Sequence, residues 1–102
     1  MEDLYEVMKD LLEQKQHFVM TTILAKSGSA PREVGTKMLV KKDLSISGTI
    51  GGGLLEAMVI KLSSKAFRDH KIAIKNFNLS NQEAASLGMV CGGDVKVLIA
   101  IL

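Results

Sequence analysis

Two stretches of this chain are apolar at nearly every position rather than at every second one. Phe18-Val19-Met20-Thr21-Thr22-Ile23-Leu24-Ala25 is one continuous apolar and β-branched run. In Asp94 to Leu102, Val95, Val97, Ile99 and Ile101 fall on one strand face, while Leu98, Ala100 and Leu102 fall on the other. A strand apolar on both faces needs cover on both, so each belongs inside a sheet with helices packed against it.

The rest of the chain supplies that cover. Leu4, Val7, Met8, Leu11 and Leu12 repeat at helical spacing, which predicts an amphipathic helix over 2–15. Leu55, Met58, Val59, Leu62 and Ala66 predict a second helix from Leu54 to about Phe67. Lys37–Lys41 and Ile46–Ile50 read as two strands of a hairpin turning at Asp43-Leu44-Ser45. Lys71–Leu79 reads as a further strand, and Ser80-Asn81-Gln82-Glu83 as a capping box opening a short helix that stops at Gly88. The order α-β-β-β-α-β-α-β implies an α/β (α+β) fold. It is expected to be a single domain over 1–102, a mixed sheet with two main helices packed on it. The last strand, apolar on both faces, is expected to be central, and its need for cover predicts a homodimer or larger assembly.

Composition excludes several classes of function. The net charge is +2 and the lysines are scattered, so no nucleic-acid footprint stands out. Aromatics are 4% of the chain, too few to stack many bases. No apolar run approaches bilayer-spanning length, and no secretory signal precedes the first helix. One cysteine makes no intrachain disulfide. The expected setting is a reduced cytoplasm, with neither nucleic acid nor membrane as partner.

Three loops are not explained by the scaffold: Ser27-Gly28-Ser29-Ala30-Pro31-Arg32-Glu33-Val34-Gly35, Gly51-Gly52-Gly53-Leu54-Leu55-Glu56 and Cys91-Gly92-Gly93. They hold the only proline, the only cysteine and seven of the nine glycines. Ala30 precedes Pro31 and is steered away from helical angles, so the first loop leaves its strand extended. It displays Arg32, whose guanidinium fork suits a phosphate or a planar oxygen-rich ligand, beside the hydroxyls of Ser27 and Ser29. The plainer alternative pairs Arg32 with a carboxylate such as Glu33.

Gly51-Gly52-Gly53 lies between a strand and a helix, where free N–H groups and the helix dipole favour an anion. The pattern is Gly-x-Gly-x-x-Glu, which fails the dinucleotide fingerprint, and Gly35-Thr36-Lys37 has the wrong order for a P-loop. Glu56 falls near the third helical position if Gly53 caps the helix. A first-turn carboxylate stabilised by the dipole is the reading favoured there over catalysis. Cys91 is either a small buried hydrophobe or, between flanking glycines, an accessible thiolate able to bind molybdenum, carry a persulfide or react. With His17 and His70 in other segments, and better read as surface residues, the sequence does not favour a protein-only zinc site.

Taken together, Ser27-Gly28-Ser29-Ala30-Pro31-Arg32 with Gly35 and Lys37-Met38, Gly48-Thr49-Ile50-Gly51-Gly52-Gly53 with Glu56, and Gly88-Met89-Val90-Cys91-Gly92-Gly93 resemble the N-terminal domain of the XdhC/CoxI family. The likeness runs from Phe18 onward. Members of that family are accessory proteins for the maturation of molybdenum hydroxylases such as xanthine dehydrogenase. The resemblance implies a chaperone rather than an enzyme. It would bind molybdenum cofactor (molybdopterin) transiently, assist its sulfuration and protection, and insert it into an apo-molybdenum hydroxylase, with a cysteine desulfurase as a further partner. The cofactor-binding residues it implies are Ser29, Arg32, Gly51, Gly52, Gly53, Glu56, Cys91, Gly92 and Gly93, with Cys91 as the contact to the metal or its sulfur. Longer members carry a C-terminal Rossmann-like domain, which the 102 residues are expected not to include. Two other readings stay open: a thiol-dependent enzyme using Cys91, and a cofactor-free assembly module of the hydroxylase system.

Overall fold

The computed structural model describes residues 3–28, 32–78 and 93–102. Its elements are α1 (Leu4–Glu13), β1 (Phe18–Ser27), β2 (Lys37–Lys41), β3 (Ile46–Gly48), α2 (Gly53–Asp69), β4 (Ala73–Asn78) and β5 (Asp94–Ile101). The helix expected after Ser80 lies outside the described residues. The five strands form one sheet in the order β3-β2-β1-β5-β4. The expected α+β class holds, and both doubly apolar strands are interior: β1 is central and β5 lies beside it.

The sheet is antiparallel throughout, which corrects the expected mixed sheet. A helix joining two strands is commonly the crossover of a parallel pair. Instead α2 carries the chain from β3 at one edge to β4 at the other, so the strands it joins point the same way without being neighbours.

Strand alternation divides the core between two faces. Val19 and Ile23 of β1, Met38 and Val40 of β2, and Val95, Val97 and Ile99 of β5 turn to the face packed by Leu55, Val59 and Ala66 of α2. Phe18 and Leu39 turn the other way and meet Leu11 of α1, with Leu4, Val7 and Met8 half-buried around them. Leu12, expected in the buried stripe, is instead 57% exposed. One face of β5 is thus covered from within the chain, and Ala100 on the other face is also buried. That weakens the case for a second copy drawn from this strand.

Buried hydroxyls were not foreseen. Thr21 Oγ1 donates to the Met38 carbonyl at 2.8 Å, and Ser63 Oγ to the Val59 carbonyl at 2.8 Å. Each thereby meets the requirement that a buried polar group be paired.

The antiparallel order sorts the connections to the two ends of the sheet. At one end β1 leaves and β2 enters, β3 leads into α2, β4 ends and β5 begins. Ser27 pairs with Asp94, and Asp94 with Asn78. At the opposite end lie the α1–β1 turn, the β2–β3 turn, the C-terminus of α2 and Leu102, whose backbone bonds Phe18 in both directions.

Among the described residues, three other than glycine have positive φ: Lys15 (56°), Leu44 (68°) and His70 (54°). In Lys15 this belongs to a Schellman stop of α1, with Lys15 N–H on the Leu12 carbonyl and Gln16 N–H on the Leu11 carbonyl. Leu44 follows a turn closed by its N–H on the Lys41 carbonyl. His70 caps α2. These positions favour glycine, and a side chain there costs about 1 kcal/mol.

Candidate functional site

The first end of the sheet gathers what is described of the three loops. Gly28 and Arg32–Gly35 follow β1, Gly51–Gly53 open α2, and Gly93 precedes β5. Of the residues singled out in sequence, Ser29, Cys91 and Gly92 lie outside the described residues. Arg32, Gly51, Gly52, Gly53, Glu56 and Gly93 are placed at this end.

Gly51, Gly52 and Gly53 all have positive φ, at 128°, 76° and 60°. Gly52 is the N-cap of α2, with ψ −170°, a combination open almost only to glycine. A Cβ added there would meet nothing within 4 Å, so the turn leaves open space beside its backbone.

Glu56 is then one position further into the helix than expected, because Gly52 rather than Gly53 caps it. Its side chain folds back over the turn. Oε2 accepts from the Gly52 N–H at 2.6 Å and from the Thr49 hydroxyl, while Thr49 Oγ1 accepts from the Gly51 N–H at 3.0 Å. The carboxylate therefore satisfies a donor that an exogenous anion would otherwise use, beside the positive end of the helix. Thr49 was not foreseen as its partner. The available signal was a hydroxyl three residues before the cap. Glu56→Ala is expected to lower stability by about 1 kcal/mol through loss of this cap. Glu56→Gln, which keeps an acceptor oxygen, should recover part of it, as urea midpoints would show. An unchanged midpoint in Glu56→Ala would mean that the carboxylate does not secure the turn.

On the neighbouring loop, Glu33 does not pair with Arg32. Its carboxylate accepts from Lys26 Nζ at 2.9 Å. Among the described residues the ion pairs are Lys26–Glu33, Lys9–Glu13 and Arg68–Asp69, which leaves the exposed Arg32 guanidinium without a carboxylate. Ser27 Oγ makes a long contact of 3.5 Å to Asp94 Oδ2. Gly35 N–H donates to the Ile23 carbonyl at 2.8 Å and ties the base of the loop to β1.

His17 and His70 sit at the opposite end of the sheet, their rings edge to face with centroids 5.7 Å apart. No helix among the described residues is long and apolar enough to cross a membrane.

Known proteins resemble this chain in fold and sequence. The solved structure of a xanthine dehydrogenase from Bacillus halodurans superposes with a TM-score of 0.81 and 28% identity, over 94% of this chain and 29% of that one. The Escherichia coli K12 protein YqeB, itself described as uncharacterised, is 38% identical over 91 residues, covering 89% of this chain and 17% of YqeB. This chain thus spans under a third of the length of either relative. The model of the XdhC and CoxI family matches residues 11–78, taking in the first two loops and the whole of α2. That span is well over half of the sequence, and the chain belongs to the XdhC and CoxI family.

Proposed function

We propose that this chain is an accessory protein that binds molybdenum cofactor, assists its sulfuration and protection, and helps insert it into a xanthine dehydrogenase-type hydroxylase. The observation that carries the reading is Arg32, which meets no carboxylate among the described residues. With Glu33 engaged by Lys26, its exposed guanidinium fork stands at the end of the sheet that also holds the glycine turn. Family membership and a relative named as a xanthine dehydrogenase support the choice of cofactor and client.

The residues present fit such a ligand in a specific way. Arg32 supplies paired donors for the pterin phosphate. Gly51, Gly52 and Gly53 contribute close approach, since the space where a Gly52 side chain would stand is open. The Gly52 N–H is committed to Glu56, so Glu56 acts by holding the turn in shape. Ser29, Gly92 and Gly93 are further candidate binding residues, and the Cys91 thiolate is the candidate contact to the metal or its sulfur. When bound, the cofactor supplies the redox centre of the client enzyme. The partners are the apo-hydroxylase and a cysteine desulfurase, and the working form is a homodimer. A thiol enzyme is less well supported, because the described histidines lie at the far end of the sheet from Gly93.

The test is purification from a host that makes the cofactor, with bound molybdenum measured by elemental analysis and pterin by fluorescence after oxidation. The parent chain should carry both. Cys91→Ser should stay folded and lose molybdenum or its sulfur, and Arg32→Ala should lose pterin. A parent chain free of both molybdenum and pterin would overturn the reading.

A further inference from the structure

The opposite end of the sheet carries a second constellation, built from different residues. The α1–β1 turn and the β2–β3 turn border a half-open cavity of about 460 Å³ lined by Lys15, Gln16, His17, Lys41, Lys42 and Asp43. None of its three lysines is in an ion pair, since the ion pairs among the described residues lie elsewhere. The single acid of the lining, Asp43, is exposed: its Oδ1 accepts from Ser45 N–H at 2.9 Å and from Ser45 Oγ at 2.6 Å, and Lys41 acts on it electrostatically without closing an ion pair. His17 is held in place by its Nδ1, 3.0 Å from the Leu102 carbonyl, and by the edge-to-face His70 ring.

Backbone strain falls at the same end. Lys15, Leu44 and His70 are the described non-glycine residues with positive φ, and each sits in one of the three turns there. At the glycine-loop end every described positive-φ residue is glycine. Lysine in the left-handed stop of α1 is strained where glycine would not be, and its side chain lines the cavity. Helix C-termini attract cations, but each offers only about half a charge. Three lysines exceed what that attraction and Asp43 neutralise.

From this we infer that the cavity is a binding site for a small polyanion bearing two adjacent phosphates. Its volume is that of a small-molecule site. Lysine ammonium groups bind phosphate as point charges and require no planar fork. The site is separate from the proposed cofactor site by the length of the ten-residue β1, about 30 Å. It does not depend on the cofactor reading.

The experiment titrates the full chain with inorganic pyrophosphate at low salt, following backbone amide shifts and heat. Shifts at residues 15–17 and 41–44 are expected, with affinity falling at least tenfold in the Lys41→Ala/Lys42→Ala double variant. Lys9→Ala, which removes a lysine paired with Glu13 on α1, should bind as the parent does. Lys15→Gly should weaken binding while raising the melting temperature by about 5 °C, because glycine relieves the strained stop. ADP binding more tightly than pyrophosphate would support the site and identify a nucleotide as its source, and equal affinity would support it as a diphosphate site. Absence of binding at millimolar pyrophosphate would overturn the inference. So would shifts confined to the glycine-loop end, or affinity unaltered in the double variant.

Discussion

Gly48→Ala is expected to remove about 3 kcal/mol of stability, a large loss for so small a change. Two effects coincide there. Gly48 has φ +81°, so any side chain meets the left-handed penalty. Its Cβ would also stand 2.9 Å from the Lys37 carbonyl oxygen and 3.0 Å from a methyl of Leu4. Leu4 can turn aside, but the carbonyl belongs to β2, which is hydrogen-bonded on both sides. Relief therefore requires β3 to shift against β2. Gly35→Ala isolates the first effect, because its φ is +91° and nothing lies within 4 Å of its added Cβ. It should lower stability by about 1 kcal/mol. Urea unfolding of the two variants checks both values, and equal losses would show that the contact with Lys37 is relieved without strain.

Gly52→Val carries the largest expected effect on ligand retention. No neighbour obstructs the added side chain. The obstacle is the backbone, since φ 76° and ψ −170° are closed to a β-branched residue. The first turn of α2 must rearrange, and the Gly52 N–H bond to Glu56 is lost with it. Stability should fall by about 2 kcal/mol. The core does not include this residue, so the variant should remain folded. Molybdenum and pterin retained from a cofactor-producing host should drop by about tenfold, equivalent to about 1.4 kcal/mol of binding. Parental retention in a folded Gly52→Val protein would remove the turn from the site.

The elements were legible where punctuation is strong. β2 ends where expected, at Lys37 and Lys41, because Gly35 precedes it and an Asp-Leu-Ser turn follows. The interior position of β1 and β5 followed from their two-faced apolarity. Strand direction was not legible, since burial on both faces is the same for a parallel and an antiparallel neighbour. Only the passage of α2 across the whole sheet decided it. At the candidate site, the glycine positions were readable from composition alone. Which acid pairs with which base was not. Glu33 is adjacent to Arg32 in sequence, yet the strand–loop geometry brings Lys26 to it instead. The basic cavity was equally hidden, because Lys15 and the Lys41-Lys42 pair are far apart in the chain and meet only through the register of β1 with β2.

The pairing of β1 with β5 bears on how the protein is made. The central ladder joins Val19 to Ile101 and Ser27 to Asp94, so the middle of the sheet is closed by the last of its five described strands to be synthesised. On the ribosome, β1, β2 and β3 can assemble as soon as Gly48 has emerged, leaving the other edge of β1 open. That edge belongs to a ten-residue, strongly apolar strand, the kind that recruits foreign strands when unpaired. It stays open until β5 clears the exit tunnel, roughly fifty residues or several seconds of translation later at about 5–20 residues per second. The nascent chain is therefore most exposed to mispairing in that interval, and a pause in translation between α2 and β5 lengthens it.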